Sequence, residues 1–288
     1  MTDARPSAIT LGLGTMGAAT CLELARRGVR VIGIDRFAPP HAFGSHHGGS
    51  RIVRDCYFEH PDYVPLLLRA REGWARLERD ARAAGALREG PLVHRPGVLY
   101  MGHAGSDVVD RSAASGEANG IACERLTPRD VRARFPQFEM PGDWRALFEP
   151  GAGFVRPERA VAATLDLARG LGAEIRTGER VLDWSETPGG IHVRTDRATL
   201  DADALVIAAG GWGHPPLRPP GRRRHDCGHR TARGGGGPRD AHRDERHPGR
   251  LGMDLLPRRR SALRRTGGRT MSGRVARHLA CAVISAIA

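Results

Sequence analysis

Apolar and polar residues alternate with a period that changes along the chain, and the changes mark out elements. The stretch Ala8 to Asp35, AITLGLGTMGAATCLELARRGVRVIGID, opens on a short apolar run. It passes through glycines into helical spacing and closes on a second apolar run that ends in an acid. This predicts a strand, a glycine turn, a helix and a strand, a βαβ unit. The segment RFAPPHAFGSHHGGSRIVRDCYFEHPDYVPL follows, where Pro39-Pro40 and the clustered Gly and His exclude regular helix and predict a long loop. The loop leaves the carboxyl end of the second strand, the edge at which open α/β sheets bind ligands. From Tyr63 to Ala84, Val64, Leu67, Leu68, Trp74 and Leu77 recur at helical spacing among Arg and Glu, which predicts a surface helix with one buried face.

Leu92 to Met101 reads as strand, bend at Pro96-Gly97, and strand. Residues 106–120 are helical in pattern, Thr127 caps a short helix beginning TPRDVRARF, and Leu147 to Phe154 is strand-like around Pro150-Gly151. Arg156 to Gly172 predicts a helix with Val161, Leu165 and Ala168 on its apolar face and Gly170 and Gly172 at its end. AEIRTGERVLDWSE, GGIHVRTDRATLDAD and ALVIAAGGW then read as a strand, a hairpin and a last buried strand. A βαβ unit, an interruption of roughly sixty residues and a return to α/β predict an α/β fold with a second domain inserted into a nucleotide-binding one.

Gly12, Gly14 and Gly17 make the spacing G-x-G-x-x-G, and Asp35 stands eighteen residues past the last of them. That is the fingerprint of a dinucleotide site. Gly12 permits the tight turn, Gly14 lets the backbone approach a pyrophosphate, and Gly17 lets helix and strand pack closely. The helix N-terminus, with Thr15 and Met16 in its first turn, offers free N–H groups and a positive dipole end. Asp35, followed by Arg36, can accept hydrogen bonds from a ribose hydroxyl. These residues form the candidate cofactor-binding set, and the fingerprint alone does not separate NAD from FAD.

The chain has 288 residues, enough for one large or two ordinary domains. Its net charge of +13 is unevenly spread. Through Gly213 there are 27 Arg against 27 acidic residues; from His214 onward 18 Arg face 5 acids, and all fourteen aromatics lie before that point. All 45 basic residues are Arg, and the absence of Lys indicates a GC-rich coding sequence. Cys21, Cys56, Cys123, Cys227 and Cys281 show no C-x-x-C pair or metal-like spacing, which predicts a reduced, cytoplasmic protein. Cys56 reads as a small buried residue rather than a nucleophile. His46 and His47 are adjacent and so point apart, and with no third ligand they predict no metal site. The N-terminal apolar run is the first strand rather than a leader. The apolar run Leu279 to Ala288 is only about half a membrane span, so no anchor is expected.

The string D-R-F-A-P-P-H-A-F-G-S-H-H-G-G-S-R-I-V-R, Asp35 to Arg54, is far more specific than the glycines. With Phe148-Glu149-Pro150, Gly153, Glu179 to Trp184 and Ala208-Ala209-Gly210-Gly211-Trp212, it resembles the flavin-dependent amine oxidases typified by monomeric sarcosine oxidase and N-methyltryptophan oxidase, over about residues 7–213. The resemblance implies a glutathione-reductase-like FAD-binding domain with an interleaved, incomplete α+β substrate domain. Residues 1–90 and 148–213 would form the first and 91–147 the second, leaving 214–288 as an Arg-, Gly- and Pro-rich tail. It implies FAD as cofactor. The N-methyl C–H of a secondary amine amino acid would give hydride to the flavin, the imine would hydrolyse, and O2 would be reduced to H2O2. By position, Ser45, His46, Ser50 and Arg51 would line the flavin, Arg51 near its reactive face. Arg54 would pair with the substrate carboxylate, for which a planar fork of donors is apt. Gly210 would lie against the pyrophosphate side and Val181 would offer backbone contacts to adenine. The partners implied are a small N-methyl amino acid and O2, and the resemblance implies a monomer.

Past Trp212 this pattern stops. The residues that follow lack apolar periodicity and aromatics, which predicts a disordered tail. The family's flavin-linked cysteine, its oxygen-activating lysine and its last glycine-rich flavin contact have no counterpart. Abrupt Arg and Gly runs are what an out-of-frame reading of GC-rich DNA produces, so a frameshift near codon 214 is expected, and the other two reading frames test it. Arg222 to Arg224 and Arg258 to Arg260 carry charge without stacking aromatics, so no specific nucleic-acid role is expected. Two functional readings follow: an FAD-dependent amine oxidase, or a catalytically inactive remnant that binds FAD weakly or not at all. The missing part of the enclosure predicts little turnover.

Overall fold

A computed structural model of the protein describes residues 5–213. Strands β1 (Ser7–Leu11), β2 (Arg30–Asp35), β9 (Glu174–Thr177) and β13 (Ala204–Ile207) form a parallel sheet in the order β13-β1-β2-β9. All five residues of β1 are buried, because the strand is flanked on both sides and covered on both faces. One face is covered by α1 (Thr15–Arg26) and α5 (Pro157–Gly170), with α2 (Val64–Ala83) packed against α5. Leu22, Leu24 and Val31 meet Trp74, Leu77, Val161, Leu165 and Ala168 there. Against the other face lies an antiparallel sheet of β10 (Val181–Thr187), β11 (Gly190–Thr195) and β12 (Thr199–Ala202), which closes Val193 and Ala202 over Ile9, Leu11 and Ile34. Period-2 alternation thus sends Ala8 and Val31 to the helices and Ile9 and Ile34 to the second sheet.

Two smaller antiparallel sheets complete the described residues. One is β3 (Arg51–Val53), β8 (Gly153–Val155) and β4 (Val93–His94), in the order β3-β8-β4. The other is β5 (Val98–His103), β7 (Trp144–Glu149) and β6 (Glu124–Leu126), in the order β5-β7-β6. In β5, Tyr100 joins Leu147, Val109 and Ala113 below α3 (Asp107–Ala118), while Leu99 and Met101 join Leu126, Val131 and Met140 beside α4 (Pro128–Arg134). At Thr127 the hydroxyl accepts from the Asp130 N–H at 3.3 Å and the Asp130 carboxylate accepts from the Thr127 N–H at 2.9 Å, a complete capping box. Thr127→Ala is expected to lower stability by about 1 kcal/mol in urea denaturation.

The structure departs from the sequence expectations in four places. Leu68 is 38 % exposed; nine residues from Leu77 is two and a half helical turns, so the two lie on opposite sides. The long loop after Asp35 contains strand β3, which the pairing of Arg51–Val53 with Val155–Gly153 stabilises. The predicted strand AEIRTGERVLDWSE breaks at Gly178 (φ +65°) into β9 and β10, which belong to different sheets. The last strand, β13, is half-buried with Ile207 exposed, because among the described residues it pairs on one side only. The expectations for 214–288 lie outside the described residues.

Candidate functional site: a dinucleotide cleft

Two of the three fingerprint glycines are required by contact. Gly12 has φ +87°, and a Cβ there would stand 2.7 Å from the Ala208 carbonyl oxygen. At Gly17 it would stand 1.7 Å from the Gly12 carbonyl oxygen. Gly14 differs: a Cβ would meet only the His46 ring, at 3.6 Å, so the space before it is open. Gly14 is the N-cap of α1; no side chain caps that end and no acid occupies its first turn. The N-terminal N–H groups of α1 therefore face a gap suited to an anion.

Asp35 closes the far side of this gap. Its buried carboxylate accepts from the Leu13 N–H at 2.7 Å and the Phe37 N–H at 2.8 Å, with His41 Nε2 at 3.4 Å. A carboxylate has about four acceptor positions, so capacity remains for a diol. The Glu179 N–H donates to the Asp35 carbonyl at 3.0 Å, which brings Arg180 and Val181 to the same place. The resulting cleft holds about 290 Å3. Gly12, Gly14, Thr15, Met16, Asp35, Arg36, Ser45, His46, Val181 and Gly210 all line it, whereas Gly17 sits behind the turn and Ser50 lies away from it.

The loop 36–50 frames the mouth with residues that the fingerprint did not mark. Phe37 and Phe43 stack at 4.5 Å, and Trp212 meets Phe37 edge-on at 5.8 Å while its Nε1–H donates to the Phe43 carbonyl at 3.1 Å. Their clustering was hidden because Trp212 is distant in sequence. His46 is half-buried in the cleft wall; burial, reinforced by His41, pushes its pKa down, and its Nε2 has no partner.

A second cavity of about 470 Å3 meets the first at Thr15 and His46, which line both. Arg51 and Arg54 line it, together with Asp55, Arg71 and the apolar flanks of α2 and α5. The Arg51 guanidinium folds back onto its own loop, donating to the carbonyls of Ser50 at 2.9 Å, Ser45 at 3.3 Å and His47. That loop is held from below by Glu158, in the first turn of α5, whose carboxylate accepts from Gly48 N–H at 2.7 Å and Gly49 N–H at 3.1 Å. Burial works against the Glu158 charge, but those two N–H groups prevail and hold its pKa below the usual range. Arg54 pairs with Glu59 at 2.5 Å and lies over the rings of Tyr57 and Phe58 at 4.4 and 5.1 Å. Its Nη1 is buried without a hydrogen-bond partner.

The residues after Arg54 are anchored by Glu149, which is fully buried. It accepts from the Asp55 N–H at 2.8 Å, the Cys56 N–H at 3.2 Å and the Tyr100 hydroxyl at 2.7 Å. Burial and the Glu149 hydrogen bond raise the pKa of the Tyr100 phenol. Burial also raises the Asp55 carboxyl, with the paired Arg71 opposing it.

A parallel sheet with a glycine turn, an open helix N-terminus and an acid at the end of β2 defines a dinucleotide-binding α/β protein. A family model described as FAD dependent oxidoreductase matches residues 8–274, and the chain belongs to that family. It is 43 % identical to the monomeric sarcosine oxidase of Streptomyces avermitilis over 205 residues, 71 % of this chain and 51 % of that one. It is 33 % identical to the N-methyl-L-tryptophan oxidase of Escherichia coli over 204 residues, 71 % of this chain and 53 % of that one. The chain thus spans about half the length of the curated relatives it matches. Among solved structures, NikD, an unusual amino acid oxidase essential for nikkomycin biosynthesis, aligns with a TM-score of 0.63 at 28 % identity, covering 71 % of this chain and 52 % of that one. Glycine oxidase from Geobacillus kaustophilus shares the fold, with a TM-score of 0.63 at 24 % identity over 72 % of this chain and 56 % of that one. Among the described residues no helix is long and apolar enough to cross a membrane, and no group of three or more His, Cys, Asp or Glu is placed to hold a metal ion.

Proposed function

We propose that this chain supplies the FAD-binding part of an amine oxidase of the sarcosine-oxidase type, acting on a small N-methyl amino acid with O2 as electron acceptor. One observation carries the reading: Thr15 and His46 line both the dinucleotide cleft and the cavity that holds Arg54. The residues present fit FAD, since the cleft offers an open helix N-terminus, an acid with spare acceptor capacity and unpartnered polar atoms at Thr15 Oγ1 and His46 Nε2. Bound FAD would supply the hydride acceptor and the route to O2.

In this reading Asp35 binds the ribose, with Arg36 beside it, and Val181 contacts the adenine through its backbone. The turn at Gly12, Gly14, Thr15 and Met16, with Gly17 packed behind it, holds the pyrophosphate together with Gly210. Ser45, His46 and Arg51 approach the flavin, with Ser50 beside Arg51 on the same loop, and Arg54 takes the substrate carboxylate. Residues 1–90 and 148–213 make up the FAD-binding domain, residues 91–147 part of the substrate domain, and the protein is a cytoplasmic monomer. The family match running to residue 274 supports the oxidase over an inactive remnant. Flavin absorbance in the purified protein and H2O2 release with sarcosine or a larger N-methyl amino acid test the proposal; a colourless, inert protein overturns it.

Arg54 gives a finer test. Its unpartnered Nη1 is a donor waiting for an anion, and a charge-assisted hydrogen bond contributes about 1.5–3 kcal/mol. Arg54→Gln is therefore expected to raise KM for an N-methyl amino acid by roughly 10- to 100-fold. A matched N-methylamine without a carboxylate should be unaffected, and an equal loss for both would remove the carboxylate role.

A further inference from the structure

Helix α3 carries a glycine in its last turn, Gly116, where Ala would be favoured by about 1 kcal/mol. Space explains it. A Cβ on Gly116 would stand 2.7 Å from Cys123 Sγ and 3.0 Å from Cys56 Sγ, so the two sulfurs crowd one point beside the helix. The two thiols are neighbours, and both belong to the cluster below α3. Their surroundings differ. Cys56 is completely buried and its N–H is tied to Glu149, whereas Cys123 is partly exposed. The third described cysteine, Cys21, is buried in the separate core between the parallel sheet and the helices.

We propose that Cys56 and Cys123 form a reversible disulfide when the protein meets a hydroperoxide. Cys123, the thiol that solvent can reach, attacks one peroxide oxygen as its thiolate. The O–O bond breaks, water leaves and Cys123 becomes a sulfenic acid. The Cys56 sulfur then displaces the sulfenic oxygen as a second water, forming the S–S bond. Two thiols and one hydrogen peroxide thus give one disulfide and two waters, a two-electron oxidation of the protein. Cys56 is sealed from solvent, so peroxide reaches Cys123 first and Cys56 is left as the partner that resolves the sulfenic acid. The bond would tether the segment carrying Arg54 to the strand-entry loop before β6. The geometry alone carries the proposal; the proposed oxidase reaction matters only as one source of peroxide.

Treating the whole protein with dilute hydrogen peroxide, alkylating it and digesting it with trypsin tests this, because Arg54, Arg69, Arg111 and Arg125 place the two cysteines on separate peptides, 55–69 and 112–125. The expected product is a single cross-linked pair of these peptides, two hydrogens lighter than their sum. Dithiothreitol should abolish it, as should Cys123→Ser. In Cys56→Ser, Cys123 should be trapped as a sulfenic acid by dimedone. Full alkylation of both cysteines after peroxide, or linkage of Cys56 to Cys21 as readily as to Cys123, overturns the proposal. Added peroxide makes the outcome independent of whether the protein oxidises amines.

Discussion

Gly17→Ala is expected to yield a protein that is colourless and less stable by several kcal/mol. The added Cβ would lie 1.7 Å from the carbonyl oxygen of Gly12, and that neighbour is backbone, not a side chain that can swing away. Either the glycine turn or the first turn of α1 must move. Overpacking of this kind costs about 1–3 kcal/mol where side chains can adjust, and more where only backbone can. The displaced turn is also the one whose N–H groups face the cleft, so loss of cofactor accompanies loss of stability. Gly14→Ala is the matched control, because its Cβ would make an ordinary 3.6 Å contact with the His46 ring. That variant should fold with near-normal stability and lose only FAD affinity. Urea midpoints and FAD titrations on both variants decide the matter: a yellow Gly17→Ala protein of normal stability would show that the turn is not built as described.

Glu149→Leu should produce the other large effect. Its removal strands the N–H groups of Asp55 and Cys56 and the Tyr100 hydroxyl inside the protein. Each of the three buried polar groups left unpaired costs about 1–3 kcal/mol, so a loss of roughly 3–9 kcal/mol is expected. Glu149→Gln retains the shape and an acceptor oxygen and should lose less. Adding Tyr100→Phe to Glu149→Leu removes one stranded group and should recover part of the loss, a non-additivity that a double-mutant cycle measures. Asp55 and Cys56 directly follow Arg54, so Glu149→Gln should also raise KM for a carboxylate substrate. A loss below about 1 kcal/mol in Glu149→Leu would rule out the anchoring role.

The β1-α1-β2 unit was legible in the sequence because its determinants are local. Three glycines, an apolar run on each side and an acid at a set distance specify the turn without help from the rest of the chain. The same holds for the capped helix at Thr127 and the helix with Val161, Leu165 and Ala168 on one face, since cap chemistry and 3.6-residue periodicity are carried within a few residues. The loop from Asp35 to Arg54 was legible in another way, by resemblance, which named residues without placing them.

Placement depended on contacts distant in sequence. Leu92 to Met101 reads as strand, bend and strand, yet β4 pairs with β8 and β5 with β7, a choice set by partners some fifty residues away. The role of Glu149 was equally hidden, since a single acid beside Pro150 carries no sign that two backbone N–H groups and a phenol converge on it.

The glycine spacing, Asp35 and the alternating apolar runs by themselves determined a parallel sheet with a phosphate-sized turn at its edge, because backbone sterics and hydrophobic period act over a few residues. Only the tertiary structure decided that Ala208 closes against Gly12, that Trp212 reaches the loop at Phe43, and that Thr15 and His46 line both the cleft and the Arg54 cavity. The first two contacts join residues more than a hundred positions apart, and close packing of side chains, rather than local preference, selects them.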